Sequence, residues 1–211
     1  MKKAFIFDLD GVLCFTDKYH YEAWKTVADK LCIPFDESVN DRLRGVSRME
    51  SLEIILSLGD KTYSEEEKIK FAEEKNSVYR KLLENMTPSD VSNEVRRTLE
   101  ELKSRGYKLA VGSSSKNTPL ILEKCDLKKY FDAVSDGNNI KYSKPNPEVF
   151  LKAAEFLGLG SGDCYIVEDA EAGIGAGKAG GFTTIGIGCA ARYEKTDICI
   201  NTFKDILQTA V

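Results

Sequence analysis

The sequence predicts an α/β protein: a Rossmann-like, doubly wound parallel sheet as the core, with an inserted α-helical cap domain. The first observation is that short apolar runs alternate with helical patterns in the C-terminal part of the chain, which favours parallel strands joined by right-handed crossovers. The second is that amphipathic helical patterns without a convincing strand occupy the segment after the first apolar run. We therefore expect residues 1–15 and 89–211 to form the core and residues 16–88 to form the cap.

The elements follow in order from these patterns. The first apolar run, 4–7, is bounded by acids and a glycine and is typical of a buried parallel strand. In the cap, Ser64 and Glu67 form a capping-box pattern that marks the start of a helix. Cap helices are predicted at 18–31, 48–58 and 64–84. The core is predicted to continue with strands at 108–112, 133–134, 165–167 and 183–187 and helices at 92–105, 116–124, 147–157 and 170–179.

Composition and length restrict the class of protein. The chain has 211 residues, of which 42% are hydrophobic and 30% charged, as in a folded globular protein with one main core. Its net charge of -4 predicts no nucleic-acid partner and no anionic membrane surface as a partner. Asp8 interrupts the N-terminal apolar run too early for a signal peptide, and no run approaches the roughly 18 apolar residues of a membrane span. We expect a cytoplasmic protein and take a monomer as the default.

Cysteine and histidine usage limits the chemistry. The six cysteines contain no C-x-x-C pair and lie mostly in apolar segments, so we expect buried, reduced thiols. His20 is the only histidine of the sequence, so a structural zinc site has no ligand cluster. Acid/base chemistry must therefore depend largely on carboxylates.

Polar residues follow the predicted strands, where an open α/β sheet binds its ligands. They are Asp8, Asp10, Ser113, Ser115, Lys116, Asn117, Glu168 and Asp169, joined by Lys144 before a helix. Carboxylates, hydroxyls and lysines on one rim suit phosphoryl transfer, which requires alignment and neutralisation of charge. Asp8, Glu168 and Asp169 would hold Mg²⁺, Asp8 would attack phosphorus, and Asp10 would exchange the proton. Ser113 and Lys144 would bind the phosphate oxygens.

The same residues carry a family resemblance. Asp8-x-Asp10-Gly11-Val12, Ser113, Lys144-Pro145 and Glu168-Asp169 resemble, in this order, the four motifs of the haloacid dehalogenase-like superfamily, with a helical cap after the first motif. Within that superfamily the chain resembles the β-phosphoglucomutase family over nearly its whole length. The residues that carry this second resemblance are Thr16, His20, Trp24, Arg44, Gly45, Val46, Ser47, Arg48, Ser51, Lys75, Asn76, Ser115, Lys116 and Asn117.

The resemblance implies an activity and a role for each matching residue. The activity is a Mg²⁺-dependent interconversion of β-glucose 1-phosphate and glucose 6-phosphate, through a β-glucose 1,6-bisphosphate that also primes the enzyme. Asp8 would be the nucleophile and Asp10 the acid/base. The implied metal ligands are Asp8, the Asp10 backbone carbonyl, Glu168 and Asp169, and the implied binders of the transferring phosphate are Ser113 and Lys144. The remaining residues of the resemblance would bind the sugar and a second, anchored phosphate, with Arg48 as a bidentate anchor and His20 coupling cap closure to Asp10.

Two departures from the family pattern stand at the cap. Phe15 replaces the acid that commonly precedes Thr16, which bears on the polarity of the hinge, and Arg44 replaces a usual lysine with conserved charge. Taken singly, several residues have plainer interpretations: Ser115 as a helix N-cap, Trp24 as core, and His20 as either a surface residue or a hydrogen-bonded residue.

Parts of the same pattern also occur in proteins with other functions. A small-molecule phosphatase acting on hexose phosphates or phosphoglycolate would use the same four motifs, and a non-catalytic regulatory protein could keep the fold. A calcium loop after Asp8 is rejected because Tyr19 stands where a glutamate is needed. Gly175, Gly177 and Gly180 fit a dinucleotide motif but fall within and after a helix, so we interpret them as helix–sheet packing.

Overall fold

The computed structural model describes residues 2–209, and its core is one six-stranded sheet of order β3-β2-β1-β4-β5-β6. The strands are β1 Ala4–Phe7, β2 Lys108–Gly112, β3 Ala133–Ser135, β4 Cys164–Glu168, β5 Thr183–Gly186 and β6 Ile198–Cys199. All pairs are parallel, and Phe7 of β1 lies between Val111 and Val167. The strand order reverses beside β1, which makes its carboxyl end a topological switch point. The predicted doubly wound parallel sheet is confirmed.

Nine helices accompany the sheet within residues 2–209. They are α1 Asp17–Lys30, α2 Glu37–Asp41, α3 Arg48–Leu56, α4 Glu65–Leu83, α5 Asn93–Ser104, α6 Thr118–Lys124, α7 Glu148–Phe156, α8 Glu171–Ala179 and α9 Ile206–Thr209. Every predicted helix is present, with ends shifted by at most two residues. The sequence did not predict α2, α9 or β6, because these elements have five, four and two residues and are too short to show a period.

The sheet has an apolar layer on each face. Phe5 and Phe7 belong to one buried cluster, whereas Ala4 and Ile6 belong to another. Successive side chains of a strand point to opposite faces, so β1 is covered on both sides and is apolar throughout. A Cβ on Gly177 would lie 2.7 Å from Cγ2 of Thr184, which supports the interpretation that the glycines of α8 allow close helix–sheet packing.

The inserted helices have a buried cluster of their own, which includes Trp24, Val27, Leu52, Ile55 and Ala72. This confirms an α-helical cap, while the exact domain boundaries stay a prediction. The capping box of α4 is present: Ser64 N–H donates to Glu67 Oε2 at 2.8 Å, and Glu67 N–H donates to Ser64 Oγ at 3.3 Å.

Two further expectations concern membranes and thiols. Across residues 2–209, no helix combines the length and apolarity needed to cross a membrane. The cysteines carry free thiols, as expected. Their predicted burial is correct for Cys14, Cys125 and Cys164 and wrong for Cys32, Cys189 and Cys199, which are exposed.

Candidate active site

Asp8 lies at the carboxyl end of β1, and a tight loop directs the chain back over it. Asp8 N–H donates to Val167 O at 2.9 Å, so the residue is still held by β4. Gly11 has φ +87° and donates its N–H to Cys14 O at 2.7 Å. A Cβ on Gly11 would overlap the Asp169 carboxylate. A glycine is therefore needed here, both for the turn and for the close approach of the β1 loop to the acids that follow β4.

Lys144 is buried between the carboxylates of Asp8 and Glu168. Its ammonium donates to Asp8 Oδ1 and to Glu168 Oε1, the latter at 2.5 Å. Burial opposes the charge, but the adjacent carboxylates of Asp8 and Glu168 outweigh it and hold the pKa of Lys144 above its usual value. Lys144 is 1% exposed, so this cation is fixed beside the proposed nucleophile.

Three carboxylates form a candidate metal centre. Asp8, Glu168 and Asp169 each offer an oxygen, and these oxygens lie within 4.8 Å of one another. Burial, followed by the charges of Glu168 and Asp8, raises the pKa of Asp169 to about 8, and burial raises that of Glu168 to about 7. Hard oxygen ligands with an excess of negative charge fit a divalent cation such as Mg²⁺. Glu168 Oε2 also accepts the N–H groups of Asp169 and Ala170 at 3.0 and 3.1 Å, which fixes its orientation.

Asp10 lies at the end of a hydrogen-bonded chain that leads into the cap. The Thr16 hydroxyl donates to Asp10 Oδ1, and the Tyr79 hydroxyl donates to Thr16 Oγ1 at 3.2 Å. Burial, followed by the charge of Asp8, raises the pKa of Asp10 to about 7. A carboxyl group with a pKa near neutrality is suited to accept and return a proton.

The loop after β2 forms a series of turns before α6. Ser113 Oγ accepts the Ser115 N–H at 3.2 Å, and Ser115 Oγ accepts the Asn117 N–H at 3.2 Å. Because α6 begins at Thr118 and Asn117 occupies the N-cap position, the interpretation of Ser115 as an N-cap is wrong. The loop brings the Ser113 hydroxyl, Lys116 and Asn117 to the same cavity as Asp8.

The cap supplies a second wall with positive charge. Lys75 is 3% exposed, its ammonium lies 3.0 Å from His20 Nδ1, and it stands over the rings of Tyr79 and Trp24 at 4.3 and 5.0 Å. Burial, followed by the charge of Arg48, lowers the pKa of Lys75 to about 7. Burial, followed by Lys75 and Arg48, also lowers the pKa of His20. Arg48 and Lys75 thus place basic groups on this wall, beside Glu50 and Glu73, whereas the opposite wall carries Asp8 and Asp169.

A cavity of about 1100 Å³ separates the two walls. The sequence-predicted residues that line it are Asp8, Asp10, His20, Trp24, Arg44, Gly45, Val46, Ser47, Arg48, Ser51, Lys75, Ser113, Ser115, Lys116, Asn117, Lys144 and Asp169. The structure thus brings them together from seven separate stretches of chain. Thr16, Asn76 and Glu168 lie behind the lining and contact Asp10, Asn117 and Lys144 respectively.

Arg44 and Phe15, the two positions that depart from the family pattern, differ in their surroundings. Arg44 bridges the cap and the core: its guanidinium lies 2.6 Å from Asp17 Oδ2, 3.3 Å from Asp41 Oδ1 and 3.7 Å from Asp169 Oδ2. Phe15 is 68% exposed and leaves the hinge without an acid at that position.

Some of the residues that line the cavity were not identified from the sequence. Tyr79 lies four residues after Lys75 on α4, so helical spacing could have indicated that it shares the Lys75 face. Tyr142, in the loop between β3 and α7, gives no such signal because irregular segments have no period. Tyr142 is 54% exposed at the cavity.

Known proteins resemble this chain in sequence and structure. It is 40% identical over 206 residues to "Beta-phosphoglucomutase" of Bacillus subtilis (strain 168), covering 97% of this chain and 91% of the relative. It is 35% identical to "Phosphorylated carbohydrates phosphatase" of Thermotoga maritima, covering 87% and 83% of the two chains. The crystal structure of β-phosphoglucomutase from Clostridium difficile matches with a TM-score of 0.92 and 38% identity, over 99% of this chain and 96% of that chain.

A family model described as haloacid dehalogenase-like hydrolase matches residues 2–181. That match spans β1 with its Asp-x-Asp motif, the whole cap, the loop after β2, Lys144 and the acids after β4. The chain belongs to the haloacid dehalogenase-like hydrolase family.

Proposed function

We propose that this chain interconverts β-D-glucose 1-phosphate and glucose 6-phosphate through β-glucose 1,6-bisphosphate. The observation that carries the proposal is that one cavity has two separate cationic centres: Lys144 beside Asp8, and Arg48 with Lys75 on the cap wall. A bisphosphate needs a place for one transferring and one anchored phosphate. A hydrolase acting on a monophosphate needs only the first centre. The relatives named β-phosphoglucomutase support the same conclusion.

In the first half-reaction, Asp8 carries a phosphoryl group as an aspartyl phosphate. Asp10 takes the proton from the 6-hydroxyl of β-glucose 1-phosphate as that oxygen attacks phosphorus and the bond from phosphorus to Asp8 breaks. The product is the 1,6-bisphosphate and free Asp8. Burial and the charge of Asp8 raise the pKa of Asp10 to about 7, a range that suits a group that must take up and return a proton.

In the second half-reaction the bisphosphate is bound with its phosphates exchanged. Asp8 attacks the phosphorus on C1, the bond from phosphorus to the C1 oxygen breaks, and Asp10 returns its proton to that oxygen. Glucose 6-phosphate leaves and Asp8 is phosphorylated again. Lys144 and the Ser113 hydroxyl bind the transferring phosphate, and Arg48 anchors the other phosphate.

We propose Asp8, the Asp10 carbonyl, Glu168 and Asp169 as Mg²⁺ ligands. When bound, Mg²⁺ supplies neutralisation of the charge between these acids and the phosphate. We propose that a further set of cap and core residues binds the sugar and the anchored phosphate or couples cap closure to Asp10. In the cap these residues are Thr16, His20, Trp24, Arg44, Gly45, Val46, Ser47, Ser51, Lys75 and Asn76, and in the core they are Ser115, Lys116 and Asn117. Closure excludes water and favours transfer to a sugar hydroxyl.

A hexose-phosphate phosphatase is the second candidate, because a relative at 35% identity is named "Phosphorylated carbohydrates phosphatase". The two functions differ in their product. With β-glucose 1-phosphate, Mg²⁺ and a catalytic amount of the bisphosphate, we expect glucose 6-phosphate with little inorganic phosphate. Stoichiometric release of phosphate without glucose 6-phosphate would reject the mutase. A matched reaction with α-glucose 1-phosphate tests the preference for the β anomer.

A further inference from the structure

The side chain of Asn117 joins the core to the cap. Its Nδ2 donates to Asn76 Oδ1 at 2.9 Å, and its Oδ1 accepts from Arg80 Nη1 at 3.2 Å. Asn76 and Arg80 both lie on cap helix α4, whereas Asn117 ends the core loop after β2. Helix α4 therefore holds both ends of one carboxamide.

Only one of these cap residues determines which way the carboxamide points. A guanidinium has donors and no acceptor, so Arg80 can bind only the oxygen end of Asn117. Asn76 is itself a carboxamide and could bind either end of Asn117 after turning its own side chain. Arg80 thus fixes the Asn117 oxygen on its own side and the nitrogen on the side of Asn76.

This orientation matters because Asn117 lines the cavity and is only 4% exposed. Its Nδ2 carries two hydrogens, and the bond to Asn76 uses one of them. The second remains available for an acceptor. If the carboxamide were reversed, it would present its oxygen to an incoming anion and would repel it. Arg80 does not line the cavity, so apart from its charge acting at a distance it affects the anion through its hydrogen bond to Asn117.

We propose that Arg80 is a positioning residue for the anchored phosphate: it keeps the donor end of Asn117 available to an anionic substrate. This inference rests on the proposed function, in which Asn117 belongs to the anchoring group. It adds to that group a residue outside the cavity, and it assigns Asn76 to holding Asn117 instead of contacting the substrate.

The test is a double-mutant cycle with Arg80→Met and Asn117→Ala. Arg80→Met should raise the KM for β-glucose 1-phosphate about tenfold, the size expected for one hydrogen bond to a charged group, with kcat changed by less than about twofold. Arg80→Lys keeps a donor and should recover most of the loss. In the Asn117→Ala background, Arg80→Met should have no further effect on KM. Lys81→Met, at the next position of α4, is the matched control and should resemble the wild type.

A second substrate separates positioning from damage to the fold. Acetyl phosphate has no second phosphate, so the rate at which it phosphorylates Asp8 should be unchanged in Arg80→Met. Equal losses on both substrates, or additive effects of the two substitutions on KM, overturn the proposal. So does a KM for Arg80→Met equal to that of Lys81→Met. Should the wild type release phosphate from the sugar phosphate without isomerising it, the mutase proposal fails, and the same cycle is then measured on the KM for hydrolysis of β-glucose 1,6-bisphosphate, which still carries a second phosphate to be anchored.

Discussion

Replacing Lys144 by methionine tests the electrostatic arrangement of the core wall. The substitution keeps an unbranched, buried side chain but removes the ammonium that donates to both Asp8 and Glu168. Asp8 is 8% exposed and faces the cavity, but Glu168 is 1% exposed and does not line it, so water cannot replace the lost partner of Glu168. Removing one partner of a buried ion pair leaves an uncompensated buried charge.

The expected loss in the free energy of unfolding is about 3–5 kcal/mol in metal-free buffer at neutral pH. For a chain of this length, each kcal/mol shifts Tm by about 2–4 °C, so Tm should fall by roughly 6–20 °C. Mg²⁺ should recover part of the loss, because acids that lack the ammonium should bind the metal more tightly than those of the wild type, and each tenfold tighter Kd adds about 1.4 kcal/mol of stabilisation at saturating metal. Lowering the pH should recover part of the loss as well, because Asp8 and Glu168, left without their ammonium partner, can then take up a proton.

Urea unfolding followed by circular dichroism, with and without Mg²⁺, measures these effects. The matched control is Lys30→Met, which removes a surface ion pair to Glu74 at 2.6 Å and should cost about 0–1 kcal/mol. A Lys144→Met protein as stable as Lys30→Met in metal-free buffer would refute the reasoning. So would a loss that is identical with and without Mg²⁺, since the metal and the ammonium are argued to neutralise the same acids.

Three further outcomes are expected. Asp8→Asn should abolish turnover and prevent 32P labelling from acetyl [32P]phosphate, because the carboxamide is not a nucleophile; retained labelling would exclude Asp8 as the acceptor. Arg48→Ala should lower kcat/KM for β-glucose 1-phosphate about 100-fold or more but leave labelling by acetyl phosphate nearly unchanged; equal losses on both would remove Arg48 from the anchoring role. The metal-free protein should lose stability as pH rises from about 4 to about 8, because native Asp169, with a pKa of about 8, keeps a proton that the unfolded chain has released. The midpoints of urea unfolding at about pH 6 and pH 8.5 measure this loss of stability. Adding Mg²⁺ or substituting Asp169→Asn should each reduce the change between the two pH values. A midpoint that rises with pH contradicts the prediction.

The fold was predictable where a periodic pattern is long or a strand is fully buried. Strand β1 is apolar because both of its faces are covered. Helix α4 is indicated by its capping box and by its 19 residues of helical pattern. Strand β6 pairs at the sheet edge through only two residues, Ile198 and Cys199, and carries no period that could be recognised. The sequence therefore predicted five of the six strands and missed only the two-residue edge strand β6.

For the site, the residues were predictable, but most of their partners were not. The residues after β1, β2 and β4 could be located because strand ends meet at one edge of a parallel sheet. No spacing rule indicates that Lys144 reaches both Asp8 and Glu168, because that contact depends on how a loop folds over the sheet. The same holds for Arg80 and Asn117, which are 37 residues apart. In both cases one end of the contact lies in a loop.

The opposite charge of the two walls explains how a site built on a hydrolase fold can favour a sugar over water. The core wall is rich in acids whose pKa values are raised by burial and by neighbouring negative charge, and a bound cation would offset both effects. On the cap wall, burial and the charge of Arg48 lower the pKa of Lys75 to about 7, and a bound anion would offset both effects. A sugar phosphate anchored at the cap satisfies Lys75 and Arg48 and brings its free hydroxyl to Asp10. Water carries no charge and cannot satisfy that wall, so on the proposed function cap closure is stabilised by the correct acceptor.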